Sequence, residues 1–262
     1  GLGYYSRVRN LQKAARIVCE EYSGELPADY DALRALPGIG DYTAGAIASI
    51  SFGLAVPAVD GNVLRVFSRL YNDPGIITEP AVKRAFTARV MEHQPPEKAG
   101  DYNQALMELG ATVCGPNRKP ECGSCPCRKI CLGYQHGTAE TLPVKSPKRE
   151  RRREDRTVFI LQCDGKYALE KRPGKGLLAG LWQFPNVAGH LDTAHALAEV
   201  ERMGLRPREI LREVSRKHIF THIEWHQSGY FLTVPEQPAP TGCVWAGKEQ
   251  LEAAYTLPGA FK

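Results

Sequence analysis

The first half of the chain carries apolar residues at the spacing of helices. SRVRNLQKAARIVCEEY (Ser6–Tyr22) returns an apolar residue every three or four positions, as one helical face requires. DALRALPGIGDYTAGAIASISFG (Asp31–Gly53) reads as helix, tight turn, helix. GNVLRVFSRLYN (Gly61–Asn72) and EPAVKRAFTARVMEHQ (Glu79–Gln94) read as further helices, and DYNQALMELGATVC (Asp101–Cys114) as a helix leading into a cysteine-rich segment. Nothing in this half alternates as a strand does. PVKSPKRERRREDR (Pro143–Arg156) then breaks the pattern: dense in Arg and Lys and nearly free of apolar residues, it reads as a solvated linker. Beyond it TVFILQC (Thr157–Cys163), KYALEKR (Lys166–Arg172) and GYFLTVP (Gly229–Pro235) read as strands, with a helix around HALAEVERMG (His195–Gly204). The pattern predicts a multidomain chain: an all-α domain over 1–132, a linker over 133–156, and a mixed α/β domain over 157–262.

Composition adds little until the cysteines are placed. A chain of 262 residues with 43% apolar content suits two globular domains, and its apolar runs are too short to span a bilayer. A net charge of +5 is compatible with a polyanionic partner without demanding one. Of eight cysteines, Cys114, Cys122, Cys125, Cys127 and Cys131 crowd into one segment, while Cys19, Cys163 and Cys243 are scattered. A secreted disulfide scaffold is smaller and spreads its cysteines more evenly, so the cluster favours metal ligation in a cytosolic-looking chain. Cys114, Cys122, Cys125 and Cys131 are separated by seven, two and five residues, and four such thiolates can hold zinc or an iron–sulfur cluster.

Two further stretches carry chemistry. In LPGIG (Leu36–Gly40), Gly38 and Gly40 permit a tight turn directly before a helix, whose unpaired N–H groups suit a phosphate. In AVPAVDGNV (Ala55–Val63) an apolar run ends in Asp60. Asn62 is expected to cap the following helix, and Asp60, held beside apolar residues, to stabilise positive charge on a sugar.

LPGIGDYTAG resembles the helix-hairpin-helix of DNA-repair glycosylases, and VDGNV resembles their catalytic segment. KRPGKGLLAGLWQFPN (Lys171–Asn186) resembles the strand and loop entering a Nudix fold. The combination with the four-cysteine loop resembles the MutY adenine DNA glycosylases over essentially the whole chain. The resemblance implies removal of adenine opposite 8-oxoguanine in duplex DNA, with Asp60 as the stabilising carboxylate and Tyr42 and Asn62 supporting it. Bifunctional relatives carry a lysine where Tyr42 stands, so a monofunctional enzyme is implied. A 4Fe–4S cluster on Cys114, Cys122, Cys125 and Cys131 is implied too, although the family's first interval is six residues and Cys127 is surplus. Arg118 and Lys119, within this loop, would meet a DNA backbone. KHIFTHIEW aligns Phe220, Thr221 and His222 with the Phe-Ser-His loop that recognises 8-oxoguanine, while Trp225 is expected in the core.

GLGYYSRVRN matches the family's GLGYYxRxR. Tyr4 is then the wedge into the DNA stack and Arg7 a phosphate contact. The family places the glutamine-rich reading segment and the general acid before this motif, so the chain is expected to lack both and to be N-terminally incomplete. The protein is expected to act as a monomer without a membrane, in the cytoplasm at the nucleoid if bacterial. Three rivals stand beside this reading: a bifunctional glycosylase/lyase, a Nudix hydrolase, and a non-catalytic DNA-binding protein. The Nudix motif needs several helical glutamates, and in LAEVERMGL (Leu197–Leu205) only Glu201 keeps its place.

Overall fold

A computed structural model describes residues 5–116, 119–147, 150–255 and 257–262, with Tyr5 described by its backbone alone. The chain folds as two compact units, one from Ser6 to Lys148 and the other from Arg149 to Lys262.

The first unit is helical: α1 (Tyr5–Glu21), α2 (Tyr30–Ala35), α3 (Asp41–Phe52), α4 (Gly61–Leu70), α5 (Pro80–His93), α6 (Ala99–Glu108) and the short α7 (Leu132–Gln135). Its apolar stripes meet in two clusters. Ala14 and Val18 of α1 pack with Leu33, Leu36, Ala44 and Ala48 around the hairpin turn. Val63, Val66 and Phe67 of α4 pack with Phe86, Val90 and Leu106. Asp29 caps α2 by accepting from the Ala32 N–H at 2.8 Å. The helix expected to run from Asp101 to Cys114 ends instead at Glu108, and Leu109–Val113 opens into a π-turn before the cysteine loop.

The second unit is a mixed sheet with one helix on a face. Its strands are β1 (Arg152–Cys163), β2 (Lys166–Lys171), β3 (Trp182–Gln183), β4 (Asn186–Ala188), β5 (Glu209–Ile219), β6 (Ile223–Thr233) and β7 (Cys243–Ala246); α8 (Thr193–Arg202) lies between β4 and β5, and α9 (Lys248–Ala253) follows β7. The order is β3-β2-β1-β6-β5, with β4 joined to β1 and β7 to β2. β1 and β6 are parallel; the other pairs are antiparallel. α8 covers one face, with Ala196 and Val200 packed on Phe159, Leu161, Tyr230 and Leu232. On the other face Val158, Ile160 and Trp225 pack with Ala260 and Phe261. Both faces of β1 are therefore covered, which is why TVFIL is an unbroken apolar run.

Three sequence expectations change. The linker assigned to 133–156 is structured at both ends: Ala139 and Leu142 are buried, and β1 begins at Arg152 inside the basic run. Its charges pair locally there, Arg152 with Glu154 at 2.5 Å and Arg153 with Asp155 at 3.0 Å, so the strand tolerates them. β6 starts six residues before the predicted strand, because the polar positions of IEWHQS alternate with buried Trp225 and Gln227. β5 went unread: it is an edge strand, mostly exposed and charged, and so carries no apolar alternation.

Candidate functional site

The segment leading to Asp60 is held from two sides. α3 presents Gly45, where any Cβ would lie 2.1 Å from the Pro57 carbonyl oxygen, so only glycine permits the approach. α6 presents the fully buried Asn103. Its Oδ1 accepts from the Ala58 N–H at 3.2 Å and from Gln94 Nε2 at 3.3 Å. Its Nδ2 donates to Ser49 Oγ at 2.8 Å and to the Val56 carbonyl at 3.0 Å. One amide thus satisfies a turn that has no ladder of its own.

Asp60 ends that turn and caps α4. Its Oδ1 accepts from the backbone N–H groups of Asn62 (2.8 Å) and Val63 (2.9 Å), and its Oδ2 from Asn62 Nδ2 (2.8 Å). The cap is therefore Asp60, not Asn62 as the sequence suggested. Asn62 sits inside the helix and reaches back, because only a side chain one residue outside the first turn can meet the N2 and N3 donors. Tyr42, in the first turn of α3, donates its hydroxyl to Met107 Sδ at 3.5 Å. Burial, and then the nearby charge of Asp60, push its phenol pKa above the ordinary value, so it remains an O–H donor near neutrality. The structure therefore brings Asp60, Asn62 and Tyr42 into one neighbourhood.

Two arginines that the sequence analysis passed over continue this network. Arg65 Nη2 donates to Asn62 Oδ1 at 2.9 Å and to the Gly110 carbonyl at 2.7 Å, and Arg65 Nε donates to the Cys114 carbonyl at 2.8 Å. Arg69 donates through Nε to the Leu142 carbonyl at 2.9 Å and through Nη1 to Cys114 Sγ at 3.1 Å. They are 5% and 4% exposed. A Cβ on Gly110 would lie 2.8 Å from Asn62 Cβ, so the π-turn packs directly on the second residue of α4. An unbroken chain of hydrogen bonds runs from Asp60 through Asn62 and Arg65 to Cys114. The available signal was two arginines four apart, among the apolar residues of an otherwise core-forming helix.

Cys114, Cys122, Cys125 and Cys131 line one small pocket with Arg69 and Tyr134; Cys127 does not line it and lies beside Cys125, toward Tyr102. Burial first, and then the neighbouring thiols, raise the pKa of Cys122; burial also raises that of Cys131, where hydrogen bonds from the Tyr134 and Gly133 backbone offset part of the rise. Among the described residues no three His, Cys, Asp or Glu side chains are gathered as tightly as a single metal ion needs. An all-thiol donor set is the kind that both zinc and iron–sulfur clusters take.

The remaining predicted residues fall as follows. Gly38 is left-handed (φ 83°), and a Cβ there would lie 2.9 Å from Asn10 Cβ. Gly40 is the N-cap of α3 and supplies no side-chain cap, which leaves first-turn N–H groups for another acceptor. Arg7 is exposed on α1. Lys119 is exposed and pairs with Glu140 at 3.2 Å. Tyr4 and Arg118 lie outside the described residues. In the sheet unit, Phe220–His222 form the turn between β5 and β6. Thr221 and His222 are exposed, whereas Phe220 packs edge-on against Trp225 at 4.9 Å and is half-buried. Trp225 is fully buried and donates through Nε1 to Glu154 Oε2 at 2.9 Å. Glu201 of α8 is exposed.

Comparison with known proteins agrees with this architecture. Residues 157–262 match the family model described as NUDIX domain, and residues 21–50 match the helix-hairpin-helix motif. The human adenine DNA glycosylase is 34% identical over 97% of this chain, and that of Arabidopsis thaliana 39% identical over 85%. The chain spans 57% and 40% of those two relatives. A solved structure titled as a non-covalent endonuclease III–DNA complex is 30% identical, with a TM-score of 0.44 over 51% of this chain and 60% of its own. The chain is thus similar to the adenine DNA glycosylases over most of its own length, and joins a region that matches the helix-hairpin-helix motif to one that matches a NUDIX domain.

Proposed function

We propose that this chain acts as a monofunctional adenine DNA glycosylase in base excision repair, on adenine opposite 8-oxoguanine. The observation that carries the reading is the Asp60 carboxylate, fixed by three donors beside a phenol that keeps its proton. Cleavage breaks the bond between adenine N9 and C1′, and the electron pair leaves with the base. A general acid protonates the base as it leaves. The sugar becomes oxocarbenium-like, and the Asp60 carboxylate offsets that charge. Water adds at C1′ and loses a proton, which leaves an abasic site. Tyr42 stands where a lysine nucleophile would be needed for strand cleavage.

Around this centre, the N–H groups after Gly38 and Gly40 would take a phosphate, as would Arg7, Arg118 and Lys119. Tyr4 would wedge into the stack, and Phe220, Thr221 and His222 would meet the oxidised guanine. Cys114, Cys122, Cys125 and Cys131 would hold a 4Fe–4S cluster. When bound, that cluster cross-links the loop through four Fe–S bonds. In a bacterium the protein would work in the cytoplasm, at the nucleoid.

The test is single-turnover release of adenine from a duplex with adenine opposite 8-oxoguanine. Adenine release without strand cleavage, and without a covalent adduct on borohydride treatment, is the expected result. Tight binding with no release would instead favour a DNA-binding role.

A further inference from the structure

The basic residues at the head of β1 meet the turn that joins β5 to β6. Arg151, the exposed residue just before β1, donates through Nε to the Phe220 carbonyl at 3.2 Å. Arg152 donates its backbone N–H to the His222 carbonyl at 3.0 Å. The Phe220 N–H donates to the Ile223 carbonyl at 2.8 Å and closes the turn. Three hydrogen bonds thus fix a segment that lies outside the ladder of the sheet.

The ring of Phe220 anchors the same turn. It packs edge-on against His218 at 4.6 Å and against buried Trp225 at 4.9 Å. Trp225 is held in turn by Glu154 Oε2, which accepts from its Nε1 at 2.9 Å, and by the Arg156 guanidinium 4.5 Å over its ring. What the turn presents is different in kind. Thr221 and His222 are exposed, and neither side chain bonds to any of the described residues. A fixed backbone carries two polar side chains that are free to meet a ligand. Recognition needs such support, since contacting groups must be held to within about 0.5 Å.

We propose that Arg151 is a positioning residue for lesion discrimination: by fixing the Phe220 carbonyl, it sets where Thr221 and His222 stand against the base opposite adenine. This role rests on the reading that the turn meets the oxidised guanine. 8-Oxoguanine differs from guanine along one edge, where a carbonyl replaces C8–H and N7 carries a hydrogen. Telling the two apart takes donors and acceptors in fixed places, not merely a basic surface. An arginine in a basic run can also serve by charge alone, on a phosphate. That role needs no bond from Nε to a main-chain carbonyl, and Arg151 makes one.

The test uses the shape of glutamine, whose Nε2 takes the place of arginine Nε and so keeps the donor while removing the charge. Binding of the whole chain to a duplex with adenine opposite 8-oxoguanine is compared with binding to one with adenine opposite guanine, at one salt concentration. Arg151→Ala should lower the ratio of the two affinities about fivefold, for the loss of one hydrogen bond, and Arg151→Gln should restore it. Without DNA, the backbone ¹⁵N–¹H signals of Thr221 and His222 should move in Arg151→Ala and return in Arg151→Gln. Equal weakening of both duplexes by both variants, with a shallower salt dependence, would overturn the proposal in favour of a phosphate contact. Unmoved Thr221 and His222 signals would overturn it too. Thr221→Ala and His222→Ala separate the two levels. If they lower the ratio and Arg151→Ala does not, the positioning role alone falls. If neither of them lowers it, the turn does not read the lesion, and the proposed recognition of oxidised guanine falls with it.

Discussion

The two units differ in how far their buried polar side chains are spent. In the helical unit Asn103 spends its amide on four groups, and Arg65 and Arg69 each bond main-chain carbonyls around Cys114. These groups hold backbone that has no regular partner: the turn before Asp60 and the π-turn before the cysteine loop. In the sheet unit buried Thr157 does the same for the loop at Gly189 and Leu191, whereas buried Gln227 and half-buried Arg156 keep atoms without partners. A buried polar group that shapes a loop is expensive to lose; one that makes no bond is not.

That contrast can be broken by mutation. The largest expected effect is catalytic. Asp60→Asn should keep the cap on α4 yet slow adenine release by about 10³-fold, in the range seen when one charge-stabilising group is removed. Retained melting temperature with lost single-turnover rate is the signature. Next come the groups that aim Asp60. Asn103→Leu strands the Ala58 N–H and the Val56 carbonyl and should cost about 3 kcal/mol in urea unfolding. Gly45→Ala forces a Cβ against Pro57 and should cost about as much by displacing the same turn. If Asn103→Leu proves neutral, the account of how that turn is held is wrong.

Gln227→Leu, by contrast, should change stability by under about 1 kcal/mol, and its sign can be favourable, because it removes an unsatisfied amide of similar size. The smallest effect is a pH dependence at Glu154. Its burial raises its pKa, but hydrogen bonds from Trp225, Arg156 and Arg152 outweigh this and leave it below the ordinary carboxylate value of 4.5. A depressed pKa stabilises the fold above the unfolded value, and the contribution fades as pH falls below 4.5 through the folded value. Glu154→Gln should therefore be slightly destabilising at pH 7 and indistinguishable from the parent near pH 3. A gap that persists in acid would mean that shape, not charge, matters at that position.

Much of the candidate site was legible before any coordinates. LPGIGDYTAG announces its turn because the left-handed position at Gly38 leaves its mark as glycine, and VDGNV announces a helix start because caps are made from few residue types. Such signals are local, and local chemistry survives in sequence. Which of Asp60 and Asn62 is the cap was not legible, since both residue types cap helices and only the backbone at Asp60 (φ −112°, ψ −173°) separates them. Arg65 and Arg69 were invisible for a related reason: an arginine in an amphipathic helix usually faces water, and only the carbonyls of Gly110, Cys114 and Leu142, brought in from far along the chain, make burial tolerable.

The same division separates the two units. By itself the sequence determined the helical character of the first half, the hairpin turn, the crowding of five cysteines into one segment and the apolar run of β1, because each is written in periodicity or in residue type within a short span. Tertiary structure alone decided that β5 is a strand, that the supposed linker supplies the start of β1, that Cys127 is left out of the thiol pocket, and that Gln227 is buried without a partner. Each depends on what a distant segment presents: an edge that only β6 can pair, a strand that only β6 and β4 can complete, a pocket whose fourth wall is Arg69, and a sheet position flanked by β1 and β5.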